Sequence, residues 1–321
     1  MLDAIWYQKS PLRWGLLPLA ALFAAVSGAR RATYRLGLCK AYRSPLPVVV
    51  VGNLSVGGNG KTPVVVWLVE ALRVQGLRPG VVSRGYGGKA SHYPLRLAAD
   101  TTTAEAGDEP VLIHRRCGCP VAVSPRRADA VRLLEQSGEV DIIITDDGLQ
   151  HYALARDVEI VVVDGMRRFG NGCLLPMGPL REPLARLGSV DAIICNGGEP
   201  APGEWAMRLV PDAPRRVLDD LPAGGALGPK VDALAGIGHP PRFFATLREL
   251  GYDLVQAQGY PDHHGFDEAE LTARFGERPL LMTEKDAVKC RAFARPNWWY
   301  IPVRAELPEG LLGTLMTSLK E

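Results

Sequence analysis

Strand-like and helix-like segments alternate along this chain, which predicts an α/β fold with a mainly parallel sheet flanked by helices. Two local patterns support it. A β-branched apolar run at 47–51 leads straight into a glycine-rich loop and then a helical pattern. A second apolar run, at 140–145, ends in two adjacent aspartates, Asp146 and Asp147. The 321 residues favour about two domains. An apolar fraction of 47% and a charged fraction of 22% suit a globular protein with a sizeable core. The formal net charge of +2 excludes a bulk polycationic nucleic-acid binder, while a local basic patch stays open. Cys39, Cys117, Cys119, Cys173, Cys195 and Cys290 form no C-x-x-C pair, so they read as thiols in a reducing compartment rather than a zinc ribbon.

At the N-terminus, residues 14–28 carry no charge. Lys9 and Arg13 precede the run; Arg30, Arg31, Arg35 and Lys40 follow it. It is short for a spanning helix, which needs about 20 residues. A secretory signal peptide is disfavoured by the basic flank that follows, and a buried core helix is the plain alternative. Trp6, Tyr7 and Trp14 on one side and the basic cluster on the other suit a helix lying in the interface of an anionic bilayer.

The glycine-rich loop is Ser55, Val56, Gly57, Gly58, Asn59, Gly60, Lys61 and Thr62. It is close to the P-loop pattern G-x-x-x-x-G-K-[ST], so the fold is expected to be P-loop NTPase-like. In that reading the loop N–H groups cradle phosphates at a helix N-terminus, Lys61 reaches the β- and γ-phosphates, and the Thr62 hydroxyl sits on Mg²⁺. Ser55 stands where the pattern has its first glycine, but Gly52, Gly57 and Gly58 keep the backbone free. Pro63 opens the helix, and Val64, Trp67, Leu68, Ala71 and Leu72 share one face of it.

A strand at 79–84 then runs into Gly85-Tyr86-Gly87-Gly88. Residues 101–109 read as a polar loop, 119–123 as a strand and 128–136 as a helix. The strand at 140–145 delivers Asp146 and Asp147 as Walker-B carboxylates for Mg²⁺ would be delivered, although paired aspartates also make turns. After a strand at 158–164, the long loop 165–182 offers Arg167, Arg168 and Arg181 to phosphate or to solvent. A second half begins near 189–195. Residues 200–228 are poorly patterned. Strands follow at 230–235, 253–258 and 279–283, with a helix at 241–250. The last strand is expected at 298–303 and a terminal helix at 310–319.

Several motifs in one order carry a resemblance. They are Gly52-Asn53 with Gly57 to Pro63; Ser83-Arg84-Gly85-Tyr86-Gly87; Gly107-Asp108-Glu109-Pro110; and Asp146-Asp147-Gly148-Leu149-Gln150-His151. Further along come Leu175-Pro176 with Gly178-Pro179-Leu180-Arg181-Glu182-Pro183; Ala235-Gly236-Ile237-Gly238; Asp262-His263-His264; and Thr283-Glu284-Lys285-Asp286-Ala287-Val288-Lys289. The chain resembles the lipid A 4′-kinases (tetraacyldisaccharide 4′-kinases) of Gram-negative bacteria along almost its whole length. The resemblance implies transfer of the ATP γ-phosphate to the 4′-hydroxyl of an acylated disaccharide-1-phosphate lipid, with Mg²⁺, at the cytoplasmic face of the inner membrane and with no nucleic acid as partner. It implies an N-terminal membrane-associating segment (1–40), a P-loop domain (41–170) and a smaller C-terminal α/β lobe (171–321), with the site in the cleft between the lobes. The last helix is allowed to pack back on the first domain.

The resemblance also suggests Asp108 as the base that accepts the hydroxyl proton, with His263 as its partner in preference to His264. Lys61 completes the catalytic set. Glu109 joins Thr62, Asp146 and Asp147 as a metal candidate. Gln150, His151, Arg126, Arg127, Arg181 and Glu182 are substrate candidates, the arginines because a guanidinium binds phosphate in bidentate fashion. The competing class is a P-loop GTPase or ATPase of metallochaperone or switch type. Against guanine reading, Lys285 and Asp286 are adjacent rather than spaced as in Asn/Thr-Lys-x-Asp.

Overall fold

The computed structural model describes residues 2–8, 10–225 and 227–319. Lys9, expected to help bracket the apolar run, lies outside them. The strands in chain order are β1 Val48–Gly52, β2 Pro79–Ser83, β3 Leu95–Arg96, β4 Val121–Val123, β5 Ile142–Asp146, β6 Val158–Asp164, β7 Ala192–Asn196 and β8 Trp205–Pro211. They continue with β9 Arg215–Arg216, β10 Lys230–Ala235, β11 Asp253–Gly259, β12 Leu280–Thr283, β13 Trp298–Ile301 and β14 Val303–Glu306. The helices are α1 Leu2–Tyr7, α2 Leu17–Arg35, α3 Lys61–Val74, α4 Thr103–Ala106, α5 Asp108–Cys117, α6 Arg127–Ser137, α7 Pro240–Glu249, α8 Glu268–Arg274, α9 Glu284–Cys290 and α10 Glu309–Ser318.

Two sheets form. A nine-stranded one runs β14-β8-β7-β6-β1-β5-β2-β4-β3, parallel except at its two edge pairs. A five-stranded one runs β11-β10-β12-β13-β9, with only β9 antiparallel. β1 is central and wholly buried. Because strand side chains alternate, Val49 and Val51 join the core with Val64, Leu68 and Leu72 of α3. Val48 and Val50 face the other way, into the core with Ala130, Val131 and Leu134 of α6. An unbroken valine run is what a strand covered on both faces requires.

Four expectations need correction. The first sheet does not stop at residue 170: β6 pairs with β7 and β7 with β8, so residues 192–211 belong to the first lobe. The expected strand at 298–303 is two strands. Pro302 has no N–H for a ladder, and the chain leaves the second sheet there to pair β14 with β8. α10 follows, and Leu311 and Leu315 pack into the same core as α3. The polar loop at 101–109 contains α4 and the start of α5. Glu105 Oε2 accepts from both the N–H (2.9 Å) and the hydroxyl (2.8 Å) of Thr102, a helix-start signature present in the sequence. The poorly patterned stretch holds β8 and β9.

The N-terminal apolar run is longer than its uncharged stretch. A helix over Pro11–Arg35, 25 residues with mean hydropathy 1.5, is long and apolar enough to cross a membrane by length and composition. Leu12, Trp14, Leu17, Leu19, Leu22 and Val26 are all exposed. Yet the segment is tied to the body at both ends. Trp6 Nε1 donates to Pro176 O (2.9 Å) and Asn171 N to Trp6 O (2.8 Å). At the far end Arg31 lies 4.0 Å from Glu182, and the Tyr34 and Tyr152 rings meet at 6.1 Å.

Candidate functional site

The site lies at the carboxyl ends of β1, β5 and β6, where a parallel sheet opens toward its connecting loops. Residues 55–60 join β1 to α3. Gly60 has φ +90°, and a Cβ there would stand 2.4 Å from Asn196 Nδ2, so only glycine fits. Asn196, at the end of β7, donates to Asn59 O (3.0 Å). Asn59 in turn donates to Ser55 Oγ (2.9 Å). Ser55, the departure from the loop pattern, is thus buried and supplies an acceptor that braces the loop. Arg167 reaches Gly58 O from outside (2.9 Å). Val56 does not fit its expected role. Its N–H is spent on Pro179 O (2.8 Å) and is not free for a phosphate.

Lys61 opens α3 and places Nζ 3.5 Å from Asp147 Oδ1. Asp147 has a left-handed backbone (φ +51°), which turns its carboxylate out of the strand direction. Arg181 donates to both of its oxygens at 3.0–3.1 Å. Burial works against the Asp147 charge, but Lys61 and Arg181 outweigh it and hold the pKa down at about 2. Asp146 is the opposite case. It is fully buried and both carboxylate oxygens lack a hydrogen-bond partner. Burial first, then the charge of Glu109, pushes its pKa up to about 7 despite Lys61. A buried carboxylate with unused oxygens, beside the phosphate loop and Glu109, fits a divalent cation, whose charge would reverse that penalty. Among the described residues no group of three or more His, Cys, Asp or Glu is placed to hold a metal alone.

Asp108 and Glu109 lie in the first turn of α5, where the helix dipole favours negative charge. Asp108 follows Gly107 at φ +87°, and a Cβ on Gly107 would meet Tyr86 O at 2.4 Å. The second lobe supplies His263, whose Nδ1 is 3.1 Å from Asp108 Oδ2. His263 also has a left-handed backbone (φ +61°), an unfavourable conformation of the kind that gathers at functional sites. Its ring meets Tyr86 edge-on at 5.1 Å. His264 turns away, to Glu270 (3.3 Å) and a stacked Tyr260 ring. The same lobe reaches the phosphate loop through Gly238, where an added Cβ would lie 3.4 Å from Gly58 N.

The substrate candidates divide. Gln150 sits in the cleft, donating to Asn53 O (3.1 Å), with its carbonyl oxygen 3.4 Å from Arg181. His151 is half-buried with its pKa pushed down to about 4, by burial first and then by Arg127, Arg156, Arg30 and Arg84. A neutral imidazole among arginines marks a basic recess. Arg126 is a correction: it points outward and pairs with Asp129 (2.8 Å). Arg127 contributes charge to the recess, and its buried guanidinium donates through Nη2 to the main-chain carbonyls of Asp146 and Asp147, which braces the acidic turn, while its Nε has no hydrogen-bond partner among the described residues. Glu182 is buried against Tyr152 and Arg186 and is structural. Sequence reasoning missed Lys285 and Lys289 as site residues. Both lie in the 283–289 motif four residues apart, the spacing that puts side chains on one helix face. Arg84 and Arg156 of the basic recess were also missed, since nothing in their spacing points to His151.

These features define an α/β protein whose glycine loop, acidic strand end and second-lobe histidine converge on one cleft. The profile of the family described as LpxK, tetraacyldisaccharide-1-P 4'-kinase, matches residues 12–320. The chain is 74% identical over 319 residues to the tetraacyldisaccharide 4'-kinase of Aeromonas salmonicida (strain A449), covering 99% of this chain and 96% of that one. It is 59% identical over 321 residues to the enzyme of the same name from Tolumonas auensis, covering 100% of this chain and 98% of that one. Among solved structures, LpxK from Aquifex aeolicus in complex with ATP superposes with a TM-score of 0.80 at 28% identity, covering 96% of this chain and 99% of that one. The chain belongs to the tetraacyldisaccharide 4'-kinase family.

Proposed function

We propose that this protein transfers the γ-phosphate of ATP to the 4′-hydroxyl of a tetraacyldisaccharide 1-phosphate lipid, with Asp108 as the base. The observation that carries the reading is the Asp108–His263 pair at 3.1 Å, in which a histidine of the second lobe reaches a carboxylate of the P-loop lobe. A carboxylate held by a histidine from the other lobe suits an acceptor hydroxyl that must give up its proton. The acceptor oxygen bonds to the γ-phosphorus, the bond to the β-phosphate oxygen breaks, and ADP leaves. The hydroxyl proton passes to Asp108. Lys61 offsets phosphate charge, and Asp147 holds Lys61 and Arg181 at the phosphate side. Thr62, Asp146 and Glu109 would hold Mg²⁺, which neutralises charge on the phosphates when bound. The basic recess around His151 suits the lipid's own phosphate, with the exposed Arg30 and Arg84 as donors.

ADP release distinguishes this from the switch-type ATPase. It is expected only when ATP, Mg²⁺ and the disaccharide-1-phosphate lipid are all present; equal release without lipid would favour the ATPase.

We also propose that the helix over Pro11–Arg35 lies flat in the cytoplasmic-leaflet interface rather than spanning it. Ties at Trp6 on one end and at Arg31 and Tyr34 on the other keep both ends on the same side. Leu12, Leu19 and Leu22 then enter the lipid, and Arg30, Arg31 and Arg35 meet headgroups. Burial of a leucine is worth roughly 1.5–3 kcal/mol, so replacing the three leucines by glutamate is expected to lower co-sedimentation with anionic vesicles by about a hundredfold or more. Unchanged sedimentation would overturn the placement.

A further inference from the structure

Helix α9 is capped by Thr283, whose side chain accepts from Asp286 N and donates to Asp286 Oδ2. This cap fixes the helix start, and with it the direction of Lys285 and Lys289. Their shared face meets the first turn of α5. Lys289 Nζ lies 3.0 Å from Asp286 Oδ1 and 3.8 Å from Asp108 Oδ2. Lys285 Nζ has three neighbours: Asp262 Oδ1 at 3.1 Å, Glu109 Oε1 at 3.3 Å and His263 Nε2 at 3.4 Å.

An ammonium group has three donors and no acceptor. Two of its neighbours are carboxylates, so the third contact also has to accept. The carboxylates of Asp262 and Glu109, at 3.1 and 3.3 Å, are the partners an ammonium takes. The other group near Nε2 is Asp262 Oδ2, at 3.9 Å and beyond hydrogen-bond reach. Nε2 therefore presents its lone pair and the ring proton sits on Nδ1, beside Asp108 Oδ2. Asp108 Oδ1 makes no hydrogen bond among the described residues.

We propose that Lys285 is a positioning residue for the base: by donating to His263 Nε2 it fixes the Nδ1–H tautomer, so that His263 donates to Asp108 Oδ2 and leaves Oδ1 open to the acceptor hydroxyl. This rests on Asp108 being the base. In the transfer step the hydroxyl proton goes to Oδ1, and the Nδ1–H bond to Oδ2 is kept throughout. Lys285 touches no reacting atom in this scheme. Its effect is carried by the ring.

The test is nitrogen NMR of the full-length enzyme with ¹⁵N-labelled histidine, with the His263 signals assigned by their loss in His263→Gln. In the neutral ring the wild type is expected to show a protonated Nδ1 and a bare Nε2. Lys285→Gln keeps an N–H donor and should keep this tautomer. Lys285→Met removes the donor and should populate the Nε2–H form, with kcat lower by roughly tenfold or more. A wild-type ring protonated at Nε2, or a Lys285→Met ring identical to wild type, would overturn the proposal. The wild-type spectrum needs no variant, so it decides even where Lys285→Met fails to fold. Asp108→Asn, assayed alongside, tests the underlying reading separately. Full activity there would remove Asp108 as base, while the resting spectra would still judge the contact of Lys285 with the ring.

Discussion

Asp108→Asn is expected to lower kcat by about 10²–10⁴-fold, the range that removal of a general base covers, with ATP binding nearly unchanged. Asparagine preserves the side-chain volume and can still accept from His263 Nδ1, so the fold and the cross-cleft contact survive. What disappears is the oxygen that takes up the hydroxyl proton. The substitution leaves Lys61 and the glycine loop unchanged, so nucleotide affinity measured by equilibrium titration should not move. His263→Asn should cost less, because the base remains and only its orientation is lost. A larger loss for His263→Asn than for Asp108→Asn would exchange the two roles. If Asp108→Asn kept more than about a tenth of wild-type kcat, the base would lie elsewhere.

Asp146→Asn is expected to stabilise the metal-free protein while lowering kcat by about 10²-fold or more. The two effects share one cause. In the folded protein the Asp146 pKa is raised to about 7, chiefly by burial and then by Glu109. In the unfolded chain it is about 3.9. Between those values the folded state holds a proton that the unfolded state has shed, so stability falls as pH rises through the window and levels off above it. Asparagine carries no charge at any pH and escapes this loss. The thermal midpoint of the variant in chelator should therefore exceed that of wild type at pH 8, and the difference should shrink toward pH 4. Adding Mg²⁺ and ATP should raise the midpoint of wild type more than that of the variant. A variant less stable than wild type at pH 8 in chelator would show that the Asp146 carboxylate is already compensated without metal.

The strand–loop–helix unit was legible because three local rules agree there: an all-valine strand, glycines at the turn and a helix-compatible proline. The acidic strand end was legible for the same kind of reason. The different fates of its two aspartates were not, because they depend on which carboxylate Lys61 and Arg181 reach. The boundary at residue 170 was misplaced because strand pairing is a long-range property. β7 and β8 read locally like the start of a new unit, and nothing in 303–306 reveals that the chain returns to the first sheet. Arg126 and Arg127 were taken as equivalent, yet adjacent residues at a helix start point to different sides. One reaches solvent, and the other lies under the acidic turn. Lys285 and Lys289 were visible as a spaced pair, but their partners lie on α5 and in the 262–263 loop, more than a hundred residues apart in sequence.

The most direct test of the account is the product itself. The protein is incubated with ATP, Mg²⁺ and disaccharide-1-phosphate lipid in detergent, and the lipid is analysed by mass spectrometry with fragmentation to locate the added group. The account predicts a gain of one phosphate, on the 4′-oxygen, that requires ATP and is lost in Asp108→Asn. Consumption of ATP with no change in lipid mass, or a phosphate added at another oxygen, would contradict it.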